Sequence, residues 1–283
     1  MTEESGRTRF HYGFYAAMEV EYDLANVPLS YEQEVELGKD PLRLDLLIIK
    51  KEHGLMLHDP IGEFFRQVNI FEYKSPEDGL SIDDFYKIQG YGLFYKGLGR
   101  KVNELPIENI TLTIVRHSYP RDMIKMLAKS EISAEKVHQG IYRFKGVLII
   151  PVQLVVSSQL SQGEYEGLRL LAHGATAENV ISYAEKAVAS GNERIKENAG
   201  TVIEVCLSVN KNLKGIDKMY EAVREVFKDF IAKERQEEIN ATNERVAMDM
   251  LRDGEPIAKI TRYSRLAEGA VRTLAASMGL AIS

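Results

Sequence analysis

Asn69-Ile70-Phe71-Glu72-Tyr73-Lys74-Ser75-Pro76 reads as a short β-strand closed by Ser-Pro. Side chains alternate between the faces of a strand, so Glu72 and Lys74 point the same way, about 7 Å apart, while Phe71 and Tyr73 face the other side. An acid and an amine are presented together at the end of a strand.

Upstream, Pro41-Leu42-Arg43-Leu44-Asp45-Leu46-Leu47-Ile48-Ile49-Lys50 is an almost continuous apolar run, the pattern of a central strand buried on both faces. Asp45 interrupts it. A buried carboxylate is costly unless a cation compensates it or its strand meets solvent there, and a metal ion would serve as that cation. Ser30 to Leu37 and Leu42 to Lys51 form a hairpin pattern around Gly38-Lys39-Asp40-Pro41. If this second strand neighbours the Glu-x-Lys strand, Asp45, Glu72 and Lys74 converge at one sheet edge. After Pro76, Ser81-Ile82-Asp83-Asp84 has the Ser-x-x-Asp form of a helix start, and Phe85, Ile88, Tyr91, Leu93 and Tyr95 continue an aromatic-rich helix.

Pro41 to Asp45, then Ile70 to Pro76, then Asp83-Asp84-Phe85-Tyr86-Lys87, resembles the PD-(D/E)XK nuclease superfamily, within it the bacterial group of transposase-like or recombination-promoting nucleases. The resemblance covers roughly residues 10 to 175, with a looser match to the helical tail. It implies an α/β, restriction-endonuclease-like fold, a mixed β-sheet flanked by helices, and metal-dependent hydrolysis of a phosphodiester, most readily as a DNA endonuclease. Asp45, Glu72 and the backbone carbonyl of Tyr73 would bind Mg²⁺, or Mn²⁺ in its place, because a small hard cation prefers oxygen ligands. Lys74 would deprotonate the attacking water or only position it. An ammonium of reference pKa about 10.4 is a poor base at pH 7, which favours positioning. The family also implies a helical acid near the amino end and a polar residue on the helix after the Glu-x-Lys strand; Glu19 and Gln89 are the matching positions. Glu21 lies about 200° round the helix from Glu19.

Each residue has a plainer reading. Glu72 and Lys74 could be an ordinary same-face pair, Glu19 part of a solvated helix face, and Gln89 an exposed helix residue. The alternative function is a catalytically silent nuclease fold serving as a nucleic-acid-binding or regulatory module.

The remaining sequence narrows the classes. Apolar content of 45% and charged content of 28% in 283 residues suit a globular protein with a real core. No apolar run approaches the ~18 residues of a membrane span, and the start lacks a signal-peptide core, so a cytoplasmic protein is expected. Cys206 is the sole cysteine and the six histidines show no paired ligand spacing, which argues against disulfides and zinc. Neither glycine-rich nucleotide fingerprint occurs. A net charge of −6 argues against coating nucleic acid by charge alone.

Taken in order, Phe10 to Ala25 predicts an amphipathic helix, Ile110 to Val115 a strand, the residues after Pro120 a short helix through Leu127, and Gly140 to Tyr142 and Val147 to Val156 further strands. Arg116, Arg121 and Lys125 are candidates for phosphate contact or for a solvated cluster. From 164 to 253 helix formers dominate. The expected division is therefore an α/β domain over 1–175 and a helical region over 176–283, through which a homodimer could form. The tail breaks at Asp253-Gly254-Glu255-Pro256 and resumes in a helix-turn-helix cadence with Arg262, Arg265 and Arg272 as phosphate-facing candidates; a packing or dimerisation tail is the alternative, since the usual turn glycine is absent.

Overall fold

The computed structural model describes residues 3–33, 46–52, 54–210 and 227–278, with isolated positions at 219, 221, 223, 224 and 280. The chain divides into two compact units, Met1–Val223 and Arg224–Ser283.

The first unit is α/β. It opens with α1 (Glu3–Leu24), then β1 (Leu29–Gln33), β2 (Leu46–Lys51) and β3 (Val68–Lys74). Strand β2 runs antiparallel to both β1 and β3, with Leu46 opposite Glu72. Next come α2 (Ile82–Gly97) and β4 (Ile110–Arg116), which pairs parallel to β3. Two parallel neighbours cannot be joined by a hairpin, and α2 supplies the crossover. After α3 (Arg121–Ala128), β5 (Ser133–His138), β6 (Ile141–Lys145) and β7 (Val152–Val156) complete a seven-stranded mixed sheet of order β1-β2-β3-β4-β7-β6-β5. Then follow α4 (Glu166–Leu170), α5 (Ala177–Ala189) and α6 (Glu193–Val209).

Alternation along β3 decides which layer each residue meets. Phe71 and Tyr73 face α1, where the Phe14 ring stacks on Tyr73 with centroids 4.8 Å apart. Ile70 joins Leu112 and Ile114 of β4, Phe85 and Ile88 of α2, and Met123 and Leu127 of α3 in one buried cluster on the opposite face. Helix α1 packs against α4 and α6. Asn69, inside β3, fixes the register: its amide donates to the Ile49 and Arg66 carbonyls, and its Oδ1 accepts from the Thr111 hydroxyl at 2.6 Å. A slip of one residue would turn Glu72 and Lys74 into the aromatic layer and break the two bonds to Ile49 and Thr111 on the neighbouring strands.

Several expected elements differ from those observed. The segment 34–45, which holds the predicted turn and Asp45, lies outside the described residues. Strand β5 was not expected, because Ser133–His138 is a largely exposed edge strand with no apolar alternation. The strand expected from Val147 begins only at Val152, after Pro151. Composition changes from strand-rich to helix-rich near residue 175, whereas packing keeps α5 and α6 with α1 and α4, and the compact units meet at Val223 and Arg224.

The second unit contains α7 (Lys228–Arg252), α8 (Ile257–Ser264) and α9 (Glu268–Ser277). They share a core of Ala247, Leu251, Ile257, Ile260, Val271 and Ala275. Among the described residues no helix is long and apolar enough to cross a membrane.

Candidate active site

Strand β3 delivers Glu72 and Lys74 to its carboxyl end, and the chain turns back at once. The Ser75 N–H and hydroxyl donate to Asp78, closing the turn after Lys74. Ser81 then caps α2 with a capping box: its hydroxyl accepts from the Asp84 N–H while the Asp84 carboxylate accepts from the Ser81 N–H. The turn therefore brings the first helical turn of α2 back against the end of β3.

The result is a three-membered charge group. Lys74 Nζ lies 3.0 Å from Glu72 Oε1 and 3.0 Å from Asp84 Oδ1. The Lys74 side chain is 6% exposed, Glu72 14% and Asp84 24%, so the ammonium is enclosed while one carboxylate side opens to solvent. Burial lowers the Lys74 pKa, but the two carboxylates outweigh it and hold the ammonium above its ordinary value. Burial raises Glu72 above the usual carboxylate range, with Lys74 and then Lys87 of α2 opposing it. Asp84 goes the other way, to about 2: burial acts against the charged form, but the Ser81 hydrogen bonds and Lys74 overcome it.

Asp84 was not singled out for chemistry by the sequence. Its helix-start role was legible, and the short Ser-Pro connection was the one signal that the cap returns to the strand end.

Of the other expected site residues, Gln89 and Glu19 lie apart from this group. Asp45 lies outside the described residues, and Leu46, which follows it in the chain, is the Cα partner of Glu72. The described β2–β3 ladder ends there, one residue short of Tyr73. Gln89 is buried and not at the charge group: its amide donates to the Ile150 carbonyl at 2.8 Å and accepts from the Ile150 N–H, tying α2 to the loop before β7. Glu19 is buried and fully engaged. One oxygen accepts from Gln33 of β1 and the other from Arg194 and Asn198 of α6. Arg116 stands opposite Lys74 in the β3–β4 register. Arg121 and Lys125 are exposed on α3.

Glu21, set aside on sequence grounds, is a perturbed acid. Its pKa is raised to about 7 by burial, then by the nearby Asp59 and Glu166 carboxylates, against the hydrogen bond from the Tyr165 N–H. Asp59 itself accepts from the Tyr165 hydroxyl at 2.6 Å and the Gly62 N–H at 2.7 Å. Among the described residues no three or more acidic, histidine or cysteine side chains group as a metal site.

No family model, curated protein or solved structure matches this chain.

Proposed function

We propose that the chain is a metal-dependent phosphodiesterase with a restriction-endonuclease-like core, acting on DNA through Asp45, Glu72 and Lys74. The observation that carries this reading is the Glu72–Lys74–Asp84 group at the carboxyl end of β3, directly opposite the residue that follows Asp45. The reading is supported by the coarser architecture that positions the group, a seven-stranded mixed sheet flanked by helices.

The group suits a hard cation. Two carboxylates around one ammonium leave a net negative charge in a partly buried place, where burial, with a smaller contribution from the Asp84 charge, holds Glu72 above its ordinary pKa. Asp45, Glu72 and the Tyr73 carbonyl would hold Mg²⁺ or Mn²⁺ through oxygen. A bound ion of this kind supplies Lewis-acid stabilisation and lowers the pKa of a coordinated water. The protein's own groups do the rest. Lys74, kept charged by its neighbours, is suited to orient a water and to stabilise charge growing on a phosphoryl oxygen rather than to accept a proton. Asp84 positions Lys74 through an ion pair that its capping box holds in place. Arg116 provides a cation beside this group for a backbone phosphate.

One feature favours the silent-module reading: both described carboxylates of the site are already taken up by Lys74. Supercoiled plasmid incubated with Mg²⁺, Mn²⁺, Ca²⁺ or EDTA separates the two. We expect cutting with Mg²⁺ or Mn²⁺ that Asp45→Asn reduces by about a hundredfold or more. Folded protein that binds Mn²⁺ yet leaves plasmid intact would establish the silent module, and undiminished cutting by Asp45→Asn would remove that residue from the site.

A further inference from the structure

We propose that the second compact unit is a head for duplex DNA, in which α9 enters the major groove while Arg262 and Arg265 hold the flanking phosphates. This names the substrate class for the nuclease reading but does not depend on it.

The unit has its own core, and α8 and α9 are consecutive helices joined by only Arg265, Leu266 and Ala267. A three-residue turn between two packed helices is the helix-turn-helix arrangement, whose second helix reads the major groove. The missing turn glycine does not prevent the turn. Arg265 adopts the left-handed conformation itself, at φ 58°, and the buried Ser264 hydroxyl donates to the Ile260 carbonyl while accepting from the Leu266 N–H. The sharp turn is thus made with a cation at its apex.

Charge and shape agree on the partner. Between Ile257 and Ser277 stand Lys259, Arg262, Arg265 and Arg272 against the single acid Glu268, in a chain whose net charge is −6. Lys259 pairs with Glu255 and Arg272 with Glu268, whereas Arg262 and Arg265 are exposed and make no ion pair with another described residue. Val271 and Ala275 turn α9 inward. Its outward face carries Gly269, Ala270, Thr273 and Ala276, all exposed and small, beside Arg272. A helix bearing small side chains fits a groove about 12 Å wide closely enough to reach base edges.

Two substitutions test the surface without disturbing the core. A side chain at Gly269 meets nothing within 4 Å, so Gly269→Glu places an acid on the proposed groove face with no clash. Arg265→Gly removes a cation from a backbone conformation that glycine adopts more easily. Binding of the full-length protein to a fluorescent 20-base-pair duplex is followed by anisotropy in EDTA across a salt series, so that cleavage plays no part. We expect Gly269→Glu to weaken binding by about tenfold or more, and Arg265→Gly to weaken it less and reduce the salt slope by about 1. Both variants should melt no earlier than the parent, and Arg265→Gly keeps the test open if Gly269→Glu does not fold. Absence of duplex binding by the parent protein, parent-like binding by either folded variant, or stronger competition by single-stranded DNA or RNA than by duplex overturns the proposal. Loss of plasmid cutting with duplex binding intact would instead count against the nuclease reading alone.

Discussion

Glu72 and Glu21 are both acids that burial pushes above the ordinary carboxylate range, and the molecule answers them in opposite ways. Glu72 has an ammonium at 3.0 Å and lies beside an opening to solvent. Glu21 has Asp59 and Glu166 as neighbours, with only the Tyr165 N–H and the more remote Lys186 to favour its charge. The first arrangement keeps charges together where a ligand can reach them. The second leaves an acid that is about half protonated near neutral pH, tied into the junction of α1 with α4 and the Asp59 turn. Two perturbed acids in one unit therefore call for different experiments: one is to be tested with metal and nucleic acid, the other with protons.

The largest effect that sharpens the contrast belongs to Lys74. Lys74→Ala leaves Glu72 and Asp84 facing each other without their shared cation. Divalent-ion affinity should hold or rise, because the competing ammonium is gone, while turnover falls by about a hundredfold through loss of charge stabilisation. Isothermal titration with Mn²⁺ beside single-turnover cleavage measures the two separately. Because its carboxylates keep Lys74 protonated, any cleavage by the parent protein should show no rate increase near neutral pH attributable to its deprotonation. A rising limb that disappears in Lys74→Ala would make it a general base, and collapse of metal affinity would make its role structural.

Glu21 should instead govern stability. Its folded value of about 7 stands above the reference 4.5, so the folded state favours the protonated form. The stability this contributes is complete below about 4.5 and is lost as pH rises through 7, a change of roughly 3 kcal/mol before any relaxation of the site. Urea melts at pH 5 and pH 8 should show the parent losing stability across that interval, with Glu21→Gln largely flat and its cleavage unchanged. An equal loss in the variant would place the proton elsewhere.

How far each acid could be read from sequence follows from where its partners lie. Glu72 and Lys74 share a strand face by alternation alone, and the Ser81 cap of α2 is a local pattern, so both were legible along with β3, α2 and the antiparallel pairing of β1 with β2. Asp84 was legible as a cap but not as a partner of Lys74, because that contact depends on the Ser75–Asp78 turn folding the helix back. Helical period separates Glu19 from Glu21 but cannot say which face meets α4. The groups that act on Glu21, namely Asp59, Tyr165 and Glu166, lie far along the chain. Edge strand β5 had no apolar alternation to reveal it, and the helix-turn-helix cadence was visible while its closing contact, the Ser264 hydroxyl, was not.

Gln89 sets the lower end of the scale and tests whether the polar residue of α2 serves the site or the fold. Its side chain satisfies both backbone groups of Ile150, a buried residue at the entry to β7. Gln89→Ala would leave a buried carbonyl and a buried N–H without partners, a loss of roughly 1–3 kcal/mol. Gln89→Glu keeps the shape but cannot donate to the Ile150 carbonyl while ionised, so it should destabilise above its carboxylate pKa and recover in acid. Neither variant should alter Mn²⁺ affinity, since Gln89 makes no contact with Glu72, Lys74 or Asp84 among its hydrogen bonds. Parent-like melting with weakened metal binding would reverse the assignment and return Gln89 to the active site. The expected result, lower stability at constant metal affinity, confines the chemistry of α2 to its first turn, where Asp84 holds Lys74.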